Sequence, residues 1–329
     1  MKILSVDGGA TKTVACLYDT EKNKVEGIGI SGASNYFSVS HEESQNNITT
    51  SMDMAYPEWR NDGNIQAIVG IAGFGDSKKA NEIGKSIMDN IFNNKNYILE
   101  NDGTCAYRLA HIFDDGAIFA PGTGSIGIYQ LDGKINRLGG WGWFAGDEGS
   151  ASWIGKKAIT MAEEQYDGII DGNSLVKLLE SYFNNTFVEL INGIESNPNK
   201  RKIAMIAPYI SKLALEDDKI ATSIINEAAD YDTKILNVLN NKIKKHSLAL
   251  VGGTTGSNIL IKNIKKPENS ELTFYHGHDV CVGGIIIAAN KNNITIDRSQ
   301  RDKLVLNIDD LIQKLDYKEL NKYLGIIKF

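Results

Sequence analysis

Residues 3–13 read ILSVDGGATKT, and residues 118–130 read IFAPGTGSIGIYQ. Each is an apolar strand that runs into a glycine turn and returns as a second, alternating strand. Such a turn lets backbone N–H groups approach a phosphate with no Cβ in the way. A single copy could equally be a tight hairpin closed by an Asx turn. Two copies, each opening a strand-rich stretch, argue for an internal duplication.

Working outward from the first copy, residues 2–6, 12–18 and 24–30 are expected to form a β-meander, with a turn at TEKNK. An amphipathic stretch follows near 41–55, then the buried strand QAIVGIAG, a helix over about 77–92, the strand YILEND and a short helix from Thr104. The pattern restarts at Gly116. Residues 148–245 have helical periodicity, after which LALVGG, a helix near 256–264, LTFYHG and VCVGGIIIAAN restore an α/β rhythm. The tail beyond about 296 has helical spacing and is expected to pack on the first half. With no Pro- or Ser-rich linker between the halves, the boundary near 113–116 reads as a hinge.

The chain has 329 residues, 42% of them hydrophobic and 23% charged, with a net charge of −6. That length favours two domains sharing a cleft, in α/β architecture. No basic stripe is available to neutralise the phosphates of a nucleic acid. Cys16, Cys105 and Cys281 form no CxxC pair, so neither a disulfide framework nor a zinc knuckle is expected, and the reading is a reducing cytoplasm. No apolar run is long enough for a membrane span, and no signal peptide is expected.

Chemistry concentrates at four places. Asp7 at the first glycine turn can hold Mg²⁺ against phosphate oxygens, with Thr11 and Lys12 supplying a hydroxyl and a cation. Asp102 lies at a strand end just ahead of a helix, where open α/β sheets present reactive groups and where an N-cap would also sit. GGWGWFAGDEGSASWIG (residues 139–155) combines a glycine loop, flat tryptophan faces suited to a sugar ring and the carboxylate of Asp147. The fourth is the second glycine turn. GTGSIG (residues 122–127) matches a dinucleotide fingerprint, but it leads into a strand and not a helix. GKS at residues 84–86 resembles the end of a P-loop, yet Lys79 stands where its leading Gly belongs. His276 and His278 have the spacing of a metal pair, but no third ligand is close in sequence, so a metal is not expected there.

The ordered set DGGATKT, SGASN, GIAG, ENDG, APGTGS, GGWGWFAGDEGSASWIG, VGGTTGSN and VGGIIIAA resembles the BadF/BadG/BcrA/BcrD-type branch of the actin-like ATPase superfamily. Within it, the pattern is most similar to N-acetylglucosamine kinases and archaeal hexokinase-like sugar kinases. The resemblance spans roughly residues 3–290 and implies two actin-like, ribonuclease H-like domains around a nucleotide cleft. These would be 1–113, with the tail of 290–329 packed on it, and 114–289, carrying a helical insertion. It implies that Gly8, Gly9, Thr11 and Lys12 form a first phosphate element with Mg²⁺ at Asp7, and Gly122, Thr123, Gly124 and Ser125 a second. Gly252, Gly253 and Ser257 match the adenosine-binding element of ATP. Asn35, Gly140, Trp141, Gly142 and Asp147 match sugar contacts, and Asp102 matches the general base.

The implied activity is ATP-dependent phosphorylation of a neutral sugar of N-acetylglucosamine or hexose type. Tyr107, Arg108 and His111 stand where related kinases carry small or apolar residues. Arg108 could pair with the carboxylate of a sugar acid, so a 2-keto-3-deoxygluconate kinase is the alternative. A further alternative is the ATPase activator of a 2-hydroxyacyl-CoA dehydratase, which needs a subunit-bridging iron–sulfur cluster. The expected partners are the small sugar or sugar acid and, as an option left open, a second copy of the chain. Neither nucleic acid nor membrane is expected.

Overall fold

A computed structural model describes residues 1–93 and 96–316. The chain divides into two compact units, one formed by Met1–Asp115 with the segment that begins at Tyr275, the other by Gly116–Phe274.

The first unit opens with strands β1 (Lys2–Gly8), β2 (Thr13–Asp19) and β3 (Lys24–Ser31), followed by α1 (His41–Ala55), β4 (Ile65–Ile71), α2 (Lys78–Phe92), β5 (Tyr97–Asn101) and α3 (Asp102–His111). Its five-stranded sheet has the order β3-β2-β1-β4-β5. The meander is antiparallel, while β4 and β5 run parallel to β1. The expected strands and helices of this half are all present. GKS falls inside α2, so it forms no phosphate loop. Helix α1 lies flush on β3 because Gly27 and Gly29 offer no side chain where the carbonyls of Ala55 and Ser51 pass.

The second unit contains β6 (Gly116–Pro121), β7 (Ser125–Leu131) and β8 (Lys134–Gly139). Six helices follow: α4 (Ala151–Tyr166), α5 (Ser174–Phe183), α6 (Phe187–Ser196), α7 (Lys200–Ala204), α8 (Ala207–Leu215) and α9 (Lys219–Asn240). After them come β9 (Ser247–Gly252), α10 (Asn258–Asn263) and β10 (Glu271–His276). Its sheet order is β10-β9-β6-β7-β8. Read from the other edge, this repeats the first sheet: a central strand pairs with a hairpin on one side and with a parallel strand on the other. The duplication seen in the two glycine turns is therefore a duplication of topology. GTGSIG leads into β7, antiparallel to β6, which excludes the dinucleotide fold at that turn.

The last helices are α11 (Val280–Lys291) and α12 (Arg298–Ile312). Residues 275–289, expected in the second domain, group with the first unit. The reason is packing. Residues Val280–Ala289 of α11 are buried all round, as suits a helix with no polar face. At Gly283 and Gly284 a Cβ would collide with the Cys105 carbonyl of α3 and the Ser5 hydroxyl of β1. Helix α12 also joins this unit, and buried Arg301 donates from its guanidinium to the carbonyl oxygens of Leu109 and Ala110. The part of the predicted tail at 317–329 lies outside the described residues. Among those described, no helix is long and apolar enough to cross a membrane.

Candidate functional site

Register places the first cluster. Gly8 pairs with Ile71 and Ile71 with Asn101, so the C-terminal ends of three parallel strands come level. Asp7, Gly8 and Asp102 therefore meet at the carboxyl edge of the sheet, where parallel sheets gather ligand-binding groups. The turn after β1 is pinned: Gly9 donates its N–H to the Lys12 carbonyl at 3.0 Å, and its own carbonyl accepts the N–H groups of Ser34 and Asn35, each at 3.1 Å. Asn35 is thereby tied to the first glycine turn. Its Oδ1 accepts the Phe37 N–H at 2.9 Å.

Asp102 is the first residue of α3. The N-cap is Asn101, whose Oδ1 accepts the Gly103 N–H at 2.8 Å. Asp102 Oδ1 also accepts from Gly103 at 2.8 Å, so its second oxygen is left for other partners. Burial raises the Asp102 pKa to about 6; the Gly103 N–H opposes the rise and the charge of Asp76 adds to it. Burial likewise pushes Asp7 to about 8, with the charge of Asp102 adding and Lys12 opposing. Lys12 is pushed down by burial against the pull of Asp7, Asp279 and Cys281. The half-buried cluster holds more carboxylate than cation.

Arg108 does not join this cluster by any bond seen. Its guanidinium donates to the Ile112 carbonyl at 3.1 Å and lies over the rings of Phe113 and Tyr107, 4.9 and 5.4 Å from their centroids.

The second cluster is built on the other sheet. β6 and β9 run parallel with Phe119 beside Leu250, so the turn at Gly122–Ser125 and the pair Gly252–Gly253 leave the sheet at the same end. Gly252 must be a glycine, because a Cβ there would press on the Pro121 carbonyl. Thr254 Oγ1 donates to that same carbonyl at 2.7 Å. Ser257 caps α10, its hydroxyl accepting the Leu260 N–H.

Asp147 is brought against the Gly122–Ser125 turn. It adopts a left-handed backbone, φ 62°, which Asp tolerates better than most residues. Its Oδ1 accepts the Ser125 N–H at 3.3 Å, and its Oδ2 receives Lys200 Nζ at 2.6 Å. The pair is unequal in burial, with side-chain exposures of 4% for Asp147 and 33% for Lys200. Helix α4 is capped by Ser150 and not by Asp147. The next residue but one, Gly149, sits so tightly over Asp232 of α9 that no side chain fits. Gly140 and Gly142 have left-handed backbones, and Trp141 is 74% exposed with the Arg137 guanidinium over its ring at 4.8 Å.

Of the expected sites, the first unit thus gathers Asp7, Gly8, Gly9, Thr11, Lys12, Asn35 and Asp102. In the second, Asp147 meets the Gly122–Ser125 turn, and Gly140 to Gly142, Gly252, Gly253 and Ser257 belong to the same unit. Lys200 was invisible in the sequence, being 53 residues from its partner on a short helix of the insertion. All three cysteines are buried in the core, where they cannot bridge subunits through a cluster.

A family model described as the BadF/BadG/BcrA/BcrD ATPase family matches residues 4–288. The chain is 30% identical over 228 residues to an N-acetylmuramic acid/N-acetylglucosamine kinase of Clostridium acetobutylicum, covering 63% of this chain and 73% of the relative. It is 26% identical over 280 residues to an N-acetyl-D-glucosamine kinase of Dictyostelium discoideum, covering 79% and 86%. Its fold matches a Chromobacterium violaceum structure described as an N-acetylglucosamine kinase with a TM-score of 0.69 at 21% identity, over 87% of this chain and 98% of that one.

Proposed function

Because the chain belongs to the BadF/BadG/BcrA/BcrD ATPase family, we propose that it is an ATP-dependent carbohydrate kinase that phosphorylates a hydroxyl of N-acetylglucosamine or a close N-acetylhexosamine. The observation that carries this reading is Asp102. It is a half-buried carboxyl at the carboxyl edge of the sheet, level with the first glycine turn, and its pKa is raised to about 6. A general base of that pKa is ionised at neutral pH yet basic enough to take a hydroxyl proton as the phosphoryl group transfers. Asn35, tied to the Gly9 carbonyl, has the amide chemistry to orient a sugar hydroxyl, and Asp147 and the Gly140–Trp141–Gly142 loop are assigned to the sugar as well. The backbone of Gly8, Gly9 and Gly122–Ser125, with Thr11 and Lys12, would hold the phosphates. Gly252, Gly253 and Ser257 would hold the nucleoside of ATP.

Asp7 suits Mg²⁺. Burial and the neighbouring Asp102 raise this carboxyl to about 8 even with Lys12 opposing, a balance a divalent ion would offset, and hard oxygen ligands are what Mg²⁺ takes. When bound, Mg²⁺ neutralises charge on the phosphate oxygens.

A neutral acceptor is favoured over a sugar acid. Arg108, the cation that would have paired with a carboxylate, is engaged with Ile112, Phe113 and Tyr107. The dehydratase-activator reading loses its support with the burial of all three cysteines.

The test is product analysis. Purified protein given ATP, Mg²⁺ and N-acetylglucosamine should yield ADP and a phosphorylated sugar in equal amounts. ADP release at the same rate without sugar would contradict it.

A further inference from the structure

The turn between β10 and α11 holds a group that phosphoryl transfer leaves unused. His278 Nε2 lies 3.2 Å from Asp309 Oδ1 of α12 and 3.7 Å from Asp279 Oδ1. All three atoms lie within 4.8 Å of one another. Two bonds of about 2.1 Å meeting at 90–120° put ligand atoms roughly 3.0–3.6 Å apart; the His278–Asp309 separation of 3.2 Å falls in that range and the His278–Asp279 separation of 3.7 Å lies just beyond it.

The second observation is Asp279 itself. Its residue exposure is 1%, and its Oδ1 has no hydrogen-bond partner. A buried carboxylate oxygen without a partner is costly. The other oxygen accepts the His276 N–H at 2.7 Å and so fixes the carboxylate in this orientation. The free oxygen faces His278, not solvent. Burial holds His278 below its ordinary pKa, in the neutral form that ligates metals. Asp309, less buried than the other two, is the side from which an ion would enter. Lys12 supplies a positive charge to this neighbourhood but makes no ion pair with Asp279 among the described contacts.

We propose that His278, Asp279 and Asp309 form a binding site for one first-row divalent cation, of Zn²⁺ or Mn²⁺ character, clipping α12 to the turn that starts α11. The mixed nitrogen and carboxylate set selects that class over Mg²⁺ and Ca²⁺, which take oxygen ligands. Three protein ligands leave at least one position for water. The sequence obscured the site because Asp309 is 31 residues from His278 and reaches it only through the packing of α12.

The test is direct metal binding, which does not depend on kinase activity. Full-length protein stripped with chelator and free of nucleotide is titrated calorimetrically with Zn²⁺, Mn²⁺ and Mg²⁺, and its Co²⁺ form is read by visible absorption. One Zn²⁺ or Mn²⁺ should bind at least tenfold more tightly than Mg²⁺, raise the melting temperature, and give Co²⁺ bands of a nitrogen-containing site. Asp309→Asn, on the outer helix, should fold and weaken binding at least tenfold, and His278→Gln should abolish the Co²⁺ bands. Equal affinity for Mg²⁺, or binding unchanged in both variants, overturns the site.

Discussion

As the proposed general base, Asp102 must be ionised to accept a proton, and burial raises its pKa to about 6. The sign follows: kcat/KM for the sugar should fall about tenfold per pH unit below about 6 and level off above it. Asp102→Asn should lower kcat by about 10²–10⁴ while leaving sugar and ATP affinity nearly intact. A variant that keeps more than about a third of kcat, or a rate flat from pH 5 to 8, would remove Asp102 from the chemistry. Lys200 answers to a different measurement. With Asp147 nearly buried and Lys200 its cation, Lys200→Met strands a carboxylate and should cost about 1–3 kcal/mol in urea unfolding. Adding Asp147→Asn should recover part of that loss, whereas strictly additive effects would deny the coupling. Asp7 and Asp102 were legible because each stands at the end of a strand and precedes glycine. Lys200 was not, because chain separation carries no sign of proximity.

At the scale of elements, hydrophobic period and glycine turns located the strands and helices of the first half, whereas the six helices α4–α9 were read only as one helical stretch over 148–245. Helix α3 begins at Asp102 and not at Thr104 because the Asn101 side chain supplies the cap. His276 and His278 do not share a strand: His276 ends β10, and His278 lies in the single turn after it. The glycines of VGGIIIAA read as a family motif, but their work is to let α11 touch α3 and β1. Gly283→Ala should therefore destabilise the protein by about 1–3 kcal/mol by forcing backbones apart. Gly63→Ala, where a Cβ meets nothing within 4 Å, should be near neutral. Equal melting temperatures for the two variants would contradict the close packing of α11 against α3.

For the whole molecule, the repeated strand order of the two sheets accounts for the two glycine turns as one device used twice. The duplication was visible in sequence because each copy keeps its turn. The assignment of residues 275–289 to the first unit was not, because an all-apolar helix does not say which sheet it covers. Phosphoryl transfer to a sugar of N-acetylglucosamine type is the proposed reading, supported by the likeness to the N-acetylglucosamine kinases, and the engagement of Arg108 bears on the choice against a sugar acid. The decisive measurement is kcat/KM with ATP and Mg²⁺ for N-acetylglucosamine, glucose and 2-keto-3-deoxygluconate, in wild type and Arg108→Leu. N-acetylglucosamine should exceed the sugar acid by more than about tenfold, with Arg108→Leu leaving that ratio unchanged, since tenfold is only about 1.4 kcal/mol of transition-state binding. A sugar acid preferred by more than about tenfold, with the preference lost in Arg108→Leu, would contradict it.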